Sequence, residues 1–324
     1  MKKHLIYSLS LLLFGVINNS NAQVIYEPNS YKLDAQTFLK SPPLKISFLN
    51  ATSPLMKEKG QTAKEKIENK PWFVSKFSVT GGGFFPINNT KVQVGASDGS
   101  TGTEIDFEDD LNLNKNTQTF LLGFSTHLGK RHKLEFNYFT IHRSSSGTLD
   151  KEIHFGDSIY PVNANVDAFF DTDILRFSYG YAFISNPKVE AGASFGFHLV
   201  KMNAGIAGQG NTQGFNAATD YGFTAPLPDF GLWGGYAFSQ KWAVLGEIDY
   251  FQLKIEDIKG QIIGANLAVK YRAWERVGVT LGYTGFNFKI DMEKNSKKAN
   301  LKWGYNGPSI SVVYQMGTQG KGPL

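Results

Sequence analysis

Apolar and polar residues alternate with a period of two along most of the chain after Pro71. In the stretch VEAGASFGFHLVKM, residues 189–202, every second residue from Val189 to Leu199 is apolar. The residues between them are small, charged or hydrogen-bonding. Alternation of this kind indicates a β-strand whose two faces meet different environments. Because the polar face is rich in glycine, the pattern favours a confined interior over open solvent on that side.

About ten segments repeat this pattern, each roughly as long as a tilted strand that crosses a bilayer. If the apolar faces meet lipid, no strand edge can remain unpaired in hydrocarbon, so the sheet must close on itself. The sequence therefore predicts an all-β fold over residues 71–316: a closed antiparallel up-and-down transmembrane β-barrel of about ten strands, with about eight to twelve possible. The predicted strands are residues 73–85, 117–128, 133–143, 169–183, 189–202, 229–238, 242–253, 261–272, 277–290 and 301–316.

The connections between these segments alternate in length. Short turns with Gly, Pro, Ser or Asn chemistry alternate with mostly longer polar connections, which is typical of a barrel with one tight rim and one rim of loops. The predicted tight turns are residues 129–131, 185–187, 239–240 and 274–276. The predicted longer connections are residues 87–115, 146–167 and 204–227, with shorter ones near 256–260 and 291–300.

Aromatic residues cluster near the strand ends, most of them beside the tight turns. Tyr and Trp favour the bilayer interface, which accommodates both an apolar ring and a polar tip. The pattern therefore predicts an aromatic girdle at one rim. Its predicted members are Trp72, Tyr181, Phe183, Tyr236, Phe238, Trp242, Tyr271, Trp274 and Tyr314.

Composition narrows the class of protein further. The 34 glycines and 26 phenylalanines among 324 residues favour β-structure, and the mean hydropathy is −0.24. No apolar run of helix-spanning length occurs beyond the N-terminus, which excludes a polytopic helical membrane protein. The absence of cysteine excludes a disulfide framework and a cysteine-type zinc site. The net charge is +5, and positive and negative residues are mixed along the chain, so the sequence shows no basic patch of the kind that binds nucleic acid.

The N-terminus reads MKKHLIYSLSLLLFGVINNSNAQ and predicts a bacterial signal peptide over residues 1–22. A helical membrane anchor is the alternative, but the apolar run is short for one. Residues 23–70 combine several prolines with a polar run, and we interpret them as a partly flexible periplasmic N-terminal extension. Residues 317–324 form a predicted C-terminal tail.

The export signal, the alternating strands with aromatic ends and the alternating turn lengths together resemble Gram-negative outer-membrane β-barrel proteins. The nearest likeness is to the small barrels of the outer membrane protein A and W type, over roughly residues 71–316. The resemblance implies a place in the bacterial outer membrane, contact with its lipid and lipopolysaccharide, and insertion by the barrel-assembly machinery. Members of the family usually end on an aromatic residue, whereas here Tyr314 and Met316 are followed by GTQGKGPL.

The inward faces of the predicted strands carry charges of both signs in nearly equal number. An unpaired charge away from water is costly, so opposite charges in a narrow lumen should pair. We therefore predict a structural or surface-interaction role, without enzymatic activity, for a barrel largely closed by ion pairs; a narrow porin-like channel for small polar solutes is the alternative. The predicted inward charges are Lys76, Lys133, Arg143, Arg176, Lys270 and Arg272, with Glu135, Glu190, Asp229, Glu247 and Asp249.

One pair of residues suggests catalysis. His142 and Ser144 in FTIHRSSSG are two apart on one outward face, as nucleophilic activation requires. The pair resembles that of barrel phospholipases and lipid A deacylases, which implies an orienting Asn or Glu about a dozen residues further on, but Gly156 stands there. A lipid hydrolase is thus a second alternative.

Other candidate sites are weaker. We interpret Asp109 and Asp110 as part of a solvated acidic loop. His154 and Asp157 lack the further ligands of a convincing metal site. The sequence predicts no metal and no cofactor, and it does not identify a ligand for the surface loops.

Overall fold

The computed structural model describes residues 67–96, 102–155, 158–209, 216–255, 257–294 and 297–322. The predicted signal peptide and residues 23–66 of the predicted extension lie outside the described residues. No helix in the described ranges is both long and apolar enough to cross a membrane. The strands are β1 Ser75–Phe84, β2 Ile87–Ala96, β3 Ile105–Asp106, β4 Thr119–Leu128, β5 His132–Thr148, β6 Ile153–Phe155, β7 Ser158–Tyr160, β8 Asn165–Ser185, β9 Val189–Gln209, β10 Asn216–Ala237, β11 Trp242–Ile255, β12 Ile258–Trp274, β13 Val277–Lys294 and β14 Lys297–Gln319.

Ten of these strands form a closed antiparallel ring. β1, β4, β5 and β8 to β14 pair in that order, and β14 pairs with β1 to close the ring. At the closing seam, for example, Val79 lies opposite Tyr314. The predicted up-and-down barrel of about ten strands is confirmed, and each predicted strand corresponds to one strand of the ring. We call the two rims the turn end, where residues 129–131 lie, and the loop end.

β2 extends the first wall strand towards the loop end. It pairs with the half of β14 that precedes Gly307, whereas β1 pairs with the half that follows. Pro86 separates the two strands, and proline cannot donate a ladder hydrogen bond. The short β3 pairs with β2, and β6 and β7 form a separate two-stranded sheet.

The long connection predicted over residues 204–227 is largely wrong, and the other loop-end connections are shorter than predicted. Most of residues 204–227 are strand, since β9 continues to Gln209 and β10 begins at Asn216. Residues 87–96 form β2, and the connections near 256–260 and 291–300 are reduced to the ends of two hairpins. The strands therefore continue well beyond the stretch whose alternation resembled a lipid-facing wall.

The reason is that both faces of the wall change polarity halfway along the strands. Towards the turn end, β8 places Leu175, Phe177, Tyr179 and Tyr181 outward and Arg176, Ser178 and Gly180 inward. Towards the loop end, the outward residues are mainly Asp167, Asp171 and Asp173, while the inward residues include Val166, Phe170 and Ile174. An apolar exterior around a polar interior suits lipid, whereas the reverse suits water.

The outer surface of the turn-end half is an apolar band. On β11 it extends from Trp242 to Tyr250, which at about 3.3 Å per residue and a tilt of about 40° spans roughly 20 Å of the membrane normal. Large apolar side chains are exposed around this band, which is expected only where lipid covers them. They include Phe120, Leu122, Phe195, Phe230, Leu232, Ile248, Leu267, Leu281, Ile310 and Val312.

The interior of the loop-end half is a packed apolar core. Side chains from the wall strands pack there against the segment between β2 and β4, which contributes Phe107, Leu111 and Leu113. The core thus fills the barrel at the level where its outer surface is polar. The principal wall residues of this core are Phe84, Ile141, Phe170, Val200, Met202, Ile206, Phe286, Phe288, Trp303 and Tyr305.

Candidate functional site

The turn-end half of the barrel contains a chamber of about 400 Å³, which we call the polar chamber because charged and hydroxyl groups lie on its wall. Its walls carry hydroxyl, amide and charged groups from the inward faces of the strands. The apolar core borders the chamber on the loop side through Phe84 and Tyr305. Residues lining the chamber include Ser78, Thr80, Glu135, Asn137, Glu247, Asn266, Thr284 and Ser309.

Arg176 links three carboxylates at this chamber. Its Nη2 lies 2.8 Å from Glu247 Oε1, 2.8 Å from Asp249 Oδ1 and 3.5 Å from Asp229 Oδ1. The nearby backbone of Gly231 leaves room for this cluster, because a Cβ there would lie 2.4 Å from Asp249 Oδ1. The guanidinium therefore ties β8 to β10 and β11 across the lumen.

Three further contacts extend the charged network. His198 Nδ1 lies 2.9 Å from Asp229 Oδ2, and the Asp229 side chain is completely buried. Lys133 Nζ lies 3.0 Å from Glu135 Oε2 and 3.7 Å from the ring centroid of Trp233. The Lys133–Glu135 ion pair and the cation–π contact compensate charges that would be costly to bury alone.

Residues 67–74 close the chamber at the turn end. Lys70 is buried there, and its Nζ donates to Glu190 Oε1 at 2.5 Å. The second carboxylate oxygen of Glu190 lies 3.2 Å from His127 Nε2, and His127 Nδ1 lies 2.9 Å from the carbonyl oxygen of Ser75. The predicted boundary between the N-terminal extension and the barrel, at residue 70, therefore falls inside a segment that packs as part of the barrel. We call residues 67–74, with the C-terminal residues that pair with them, the turn-end seal.

The predicted place of Trp72 in the aromatic girdle is wrong. Its side chain is fully buried in the turn-end seal, because the chain enters the lumen before β1 begins. Its Nε1 donates to the carbonyl oxygen of Ser239 at 3.0 Å, and its ring lies 5.9 Å from Lys270 Nζ and 5.8 Å from Arg272 Cζ. Both cations, predicted as inward charges, thus lie against the seal.

The C-terminal tail completes this seal. Gly320 N–H donates to the carbonyl oxygen of Val74 at 2.8 Å, and Gly322 N–H donates to that of Lys70 at 3.0 Å. Gln319 Nε2 donates to the carbonyl oxygen of Trp72 at 2.9 Å. The two ends of the described chain therefore close the same mouth of the barrel.

Lys76 is not in the lumen, and its prediction as an inward charge is wrong. The register with β14 shifts between Ser75 and Phe77, so Ser75 takes the buried position and Lys76 is exposed at the rim. Its Nζ lies 5.3 Å from the ring centroid of Phe77. A bulge of this kind moves one side chain to the other face, which period-two reasoning cannot anticipate.

A buried ion pair closes the loop end. The side chains of Arg143 and Glu108 are in contact and are both fully buried. Arg143 Nη2 also donates to Thr90 Oγ1 at 2.6 Å, and Glu108 Oε2 accepts from Thr90 N–H at 2.7 Å. These bonds fasten the segment after β3 to β2 and β5. We call this ion pair, together with the apolar core, the loop-end seal.

Eight of the nine predicted girdle residues lie on the outer surface near the turn end. Seven are exposed, and Tyr271 packs against Trp242 with the two rings tilted by 46° and their centroids 4.7 Å apart. Their positions match the level at which the apolar band ends. The seven exposed residues are Tyr181, Phe183, Tyr236, Phe238, Trp242, Trp274 and Tyr314.

His142 and Ser144 face outward, as the alternation predicts. His142 Nδ1 lies 3.1 Å from Asp171 Oδ1, and His142 Nε2 lies 2.6 Å from Thr140 Oγ1. The hydroxyl beside the imidazole is thus that of Thr140, not the predicted Ser144. Sequence spacing could not find Asp171, because it meets His142 only through the register between β5 and β8.

The two carboxylates of the acidic loop, Asp109 and Asp110, each pair with a lysine rather than with each other. Asp109 Oδ1 lies 2.6 Å from Lys115 Nζ, and this contact raises the pKa of Lys115. Asp110 Oδ2 lies 2.8 Å from Lys151 Nζ. Within the described ranges, no group of three or more His, Cys, Asp or Glu residues is arranged to hold a metal ion.

No protein-family model and no curated protein matches the chain. Several solved structures of barrel proteins match the chain in structure. The outer membrane protease OmpT from Escherichia coli is 8% identical, with a TM-score of 0.45, covering 74% of this chain and 97% of that one. The P. putida toluene transporter TodX is 10% identical, with a TM-score of 0.32, covering 78% and 93%. Neisserial surface protein A is 12% identical, with a TM-score of 0.26, covering 75% and 98%.

These likenesses carry no argument about activity, because the identities and TM-scores are low. The fold itself is established by the closed ring of ten antiparallel strands, the outward apolar band and the aromatic residues at its turn-end border. The predicted class is therefore confirmed. The chain is a β-barrel of the outer-membrane type.

Proposed function

We propose that the protein is a non-conducting barrel of the bacterial outer membrane whose loop-end half is a rigid platform for surface contacts. The observation that carries this proposal is that the polar chamber has a seal at each end. Residues 67–74 occupy the turn end, and the apolar core with the Arg143–Glu108 pair occupies the loop end. Solute would have to displace packed side chains at both levels.

The two-zone wall supports the platform role. Strands such as β14, with 23 residues, are much longer than the roughly 9–11 residues that cross a bilayer. The excess length carries a polar exterior and an apolar core, which is the arrangement of a water-exposed β-barrel. A barrel of this kind holds its connecting loops away from the lipid surface on a scaffold that does not depend on the membrane.

The orientation follows from the positions of the turns and the chain ends. Outer-membrane barrels have short periplasmic turns and longer extracellular connections. The turn-end seal and both ends of the described chain would therefore lie on the periplasmic side, and the loop end would lie outside the cell. The apolar band would contact outer-membrane lipid, and the polar zone above it would meet the lipopolysaccharide head groups. The ligand of the loop-end surface is not identified.

A narrow channel for small polar solutes is the competing function, and the polar groups on the chamber wall favour it locally. A channel needs a continuous water path, but the chamber wall passes directly into the apolar core at Phe84 and Tyr305. Most of the acidic and basic side chains of the chamber are also paired with each other, whereas Lys270 lies against the Trp72 ring. The closed barrel therefore accounts for more of the interior than the channel does.

Planar-bilayer conductance tests the proposal. The purified full chain should give no steady single-channel steps, whereas an open porin reconstituted in the same lipid serves as the positive control. Insertion of the full chain is verified by protease protection of vesicles prepared in parallel. Steps of one reproducible unit conductance from the inserted chain would overturn the closed-barrel proposal and favour the channel.

A further inference from the structure

A hydroxyl, an imidazole and a carboxylate form a continuous chain on the outer wall. Thr140 Oγ1 lies 2.6 Å from His142 Nε2, and His142 Nδ1 lies 3.1 Å from Asp171 Oδ1. Thr140 and His142 are two residues apart on the outward face of β5, and Asp171 lies directly opposite His142 on β8. None of these residues belongs to the lumen or to either seal.

These two contacts have the spacing that an activated nucleophile requires. The base must lie within hydrogen-bonding distance of the nucleophile, and a third group must orient the base. A carboxylate at Nδ1 favours the tautomer with its proton on Nδ1, which leaves the Nε2 lone pair directed at the Thr140 hydroxyl. We propose that Thr140, His142 and Asp171 form a nucleophilic site that cleaves acyl esters of membrane amphiphiles.

The height of the group on the wall indicates the substrate class. One outward row below it, Tyr138 lies opposite Leu175, and both belong to the apolar band. Thr140 lies opposite Asp173 in the first polar row. In an amphiphile the ester carbonyl joins the hydrocarbon tail to the polar head group. A lipid packed against the band would therefore present its ester at the level of Thr140.

The reaction balances with water as the only co-reactant. Thr140 Oγ attacks the ester carbonyl carbon while its proton moves to His142 Nε2, and Asp171 stabilises the imidazolium. The bond to the alcohol oxygen then breaks, and Nε2 returns the proton to the departing alcohol. Water attacks the acyl-threonine, gives a proton to Nε2 and releases the acid, and that proton returns to Thr140 Oγ.

The same wall provides a matched control. Ser146 Oγ donates to Asp167 Oδ1 at 2.5 Å across the same pair of strands, without an imidazole between them. Both residues are exposed on the outer face. Ser146→Ala therefore removes a cross-strand hydroxyl–carboxylate contact next to the site while leaving the Thr140 chain intact.

The first experiment measures fatty-acid release from phospholipid vesicles that contain the purified full chain. Thr140→Ala, His142→Phe and Asp171→Asn should each lower the rate about a hundredfold or more. Thr140→Ser and Ser146→Ala should stay within about threefold of wild type, because the first keeps a hydroxyl and the second lies outside the site. A heat-shift gel checks that every variant is folded. A short-chain soluble ester, tested in parallel, shows whether hydrolysis requires a lipid surface.

The second experiment captures the intermediate. A nitrophenyl ester of a long-chain acid should transfer its acyl group to Thr140, adding the acyl mass to the intact protein and to the peptide that contains Thr140. Absence of both turnover and acylation in wild type would overturn the proposal. So would unchanged turnover in folded Thr140→Ala. Loss of turnover in Ser144→Ala alone would overturn it in favour of Ser144. None of these results depends on whether the lumen conducts.

Discussion

The loop-end seal makes a prediction about charge removal in a buried site. Arg143 and Glu108 are both fully buried, and Glu108 also accepts from the backbone N–H of Thr90. Arg143→Met would leave a carboxylate without its cation in an apolar surrounding. Breaking a buried pair in this way costs about 3–5 kcal/mol of the free energy of unfolding.

The double variant Arg143→Met with Glu108→Gln provides the comparison. Glutamine keeps an oxygen acceptor for Thr90 N–H but carries no charge, so the desolvated-charge penalty disappears. We expect the double variant to be more stable than Arg143→Met alone by at least about 1 kcal/mol, because a buried group without its partner costs about 1–3 kcal/mol, and more when it is charged. Adding the second substitution should therefore raise stability.

Urea unfolding of the full chain in detergent micelles, followed by gel mobility of unheated samples and by circular dichroism, measures these differences. Lys115→Met is the matched control, because it removes the partner of Asp109 in an exposed pair. The control should change the free energy of unfolding by less than about 1 kcal/mol. If the double variant is as unstable as Arg143→Met, the cost does not come from the unpaired carboxylate, and the reasoning is refuted.

Three other predictions concern the two ends of the barrel. Gly320→Ala should open the turn-end seal to protease, because a Cβ there would lie 2.2 Å from the carbonyl oxygen of Pro71. Gly260→Ala should not increase cleavage, because nothing lies within 4 Å of its Cβ. Equal cleavage of the two variants would contradict this prediction. Trp72→Ala should cost about 3–5 kcal/mol by urea unfolding, as is usual for a buried tryptophan, and equal costs for Trp72→Ala and Arg272→Ala would count against a packing role. At the loop end, burial raises the pKa of Asp106, but the hydrogen bonds from Asp109 and Glu108 N–H and the contact with Lys91 outweigh it and hold that pKa below 3.8. Asp106 therefore adds stability that is fully present above its unfolded pKa of 3.8 and is lost as pH falls through the lower folded pKa. Asp106→Asn should make the free energy of unfolding fall less steeply with decreasing pH in this acid range. An unchanged pH dependence would exclude this contribution.

The class of fold could be predicted because period-two alternation is a local signal. Residues 189–202 carry it in full, and nine further segments repeat it at similar spacing. Closure followed from the cost of an unpaired strand edge in hydrocarbon rather than from any motif. The exposed girdle residues near the tight turns could also be predicted, because their prediction requires only their distance from a strand end.

The same local signal failed where the environment changes along one strand. β9 continues to Gln209, but its inward face is apolar from Val200 onward, so residues 204–227 looked like a loop. The alternation is still present there with its sense reversed. A search for both senses of alternation would have found these extensions.

The sequence by itself determined the ring of strands, the lipid-facing surface and the outward position of His142, because each depends on alternation within one segment. Only the tertiary structure decided which side chains meet. The contact of Lys70 in the turn-end seal with Glu190 on β9, and the contact of His142 with Asp171, depend on chain entry into the lumen and on strand register. Those two quantities are set by how distant segments pack and pair, which no local pattern records.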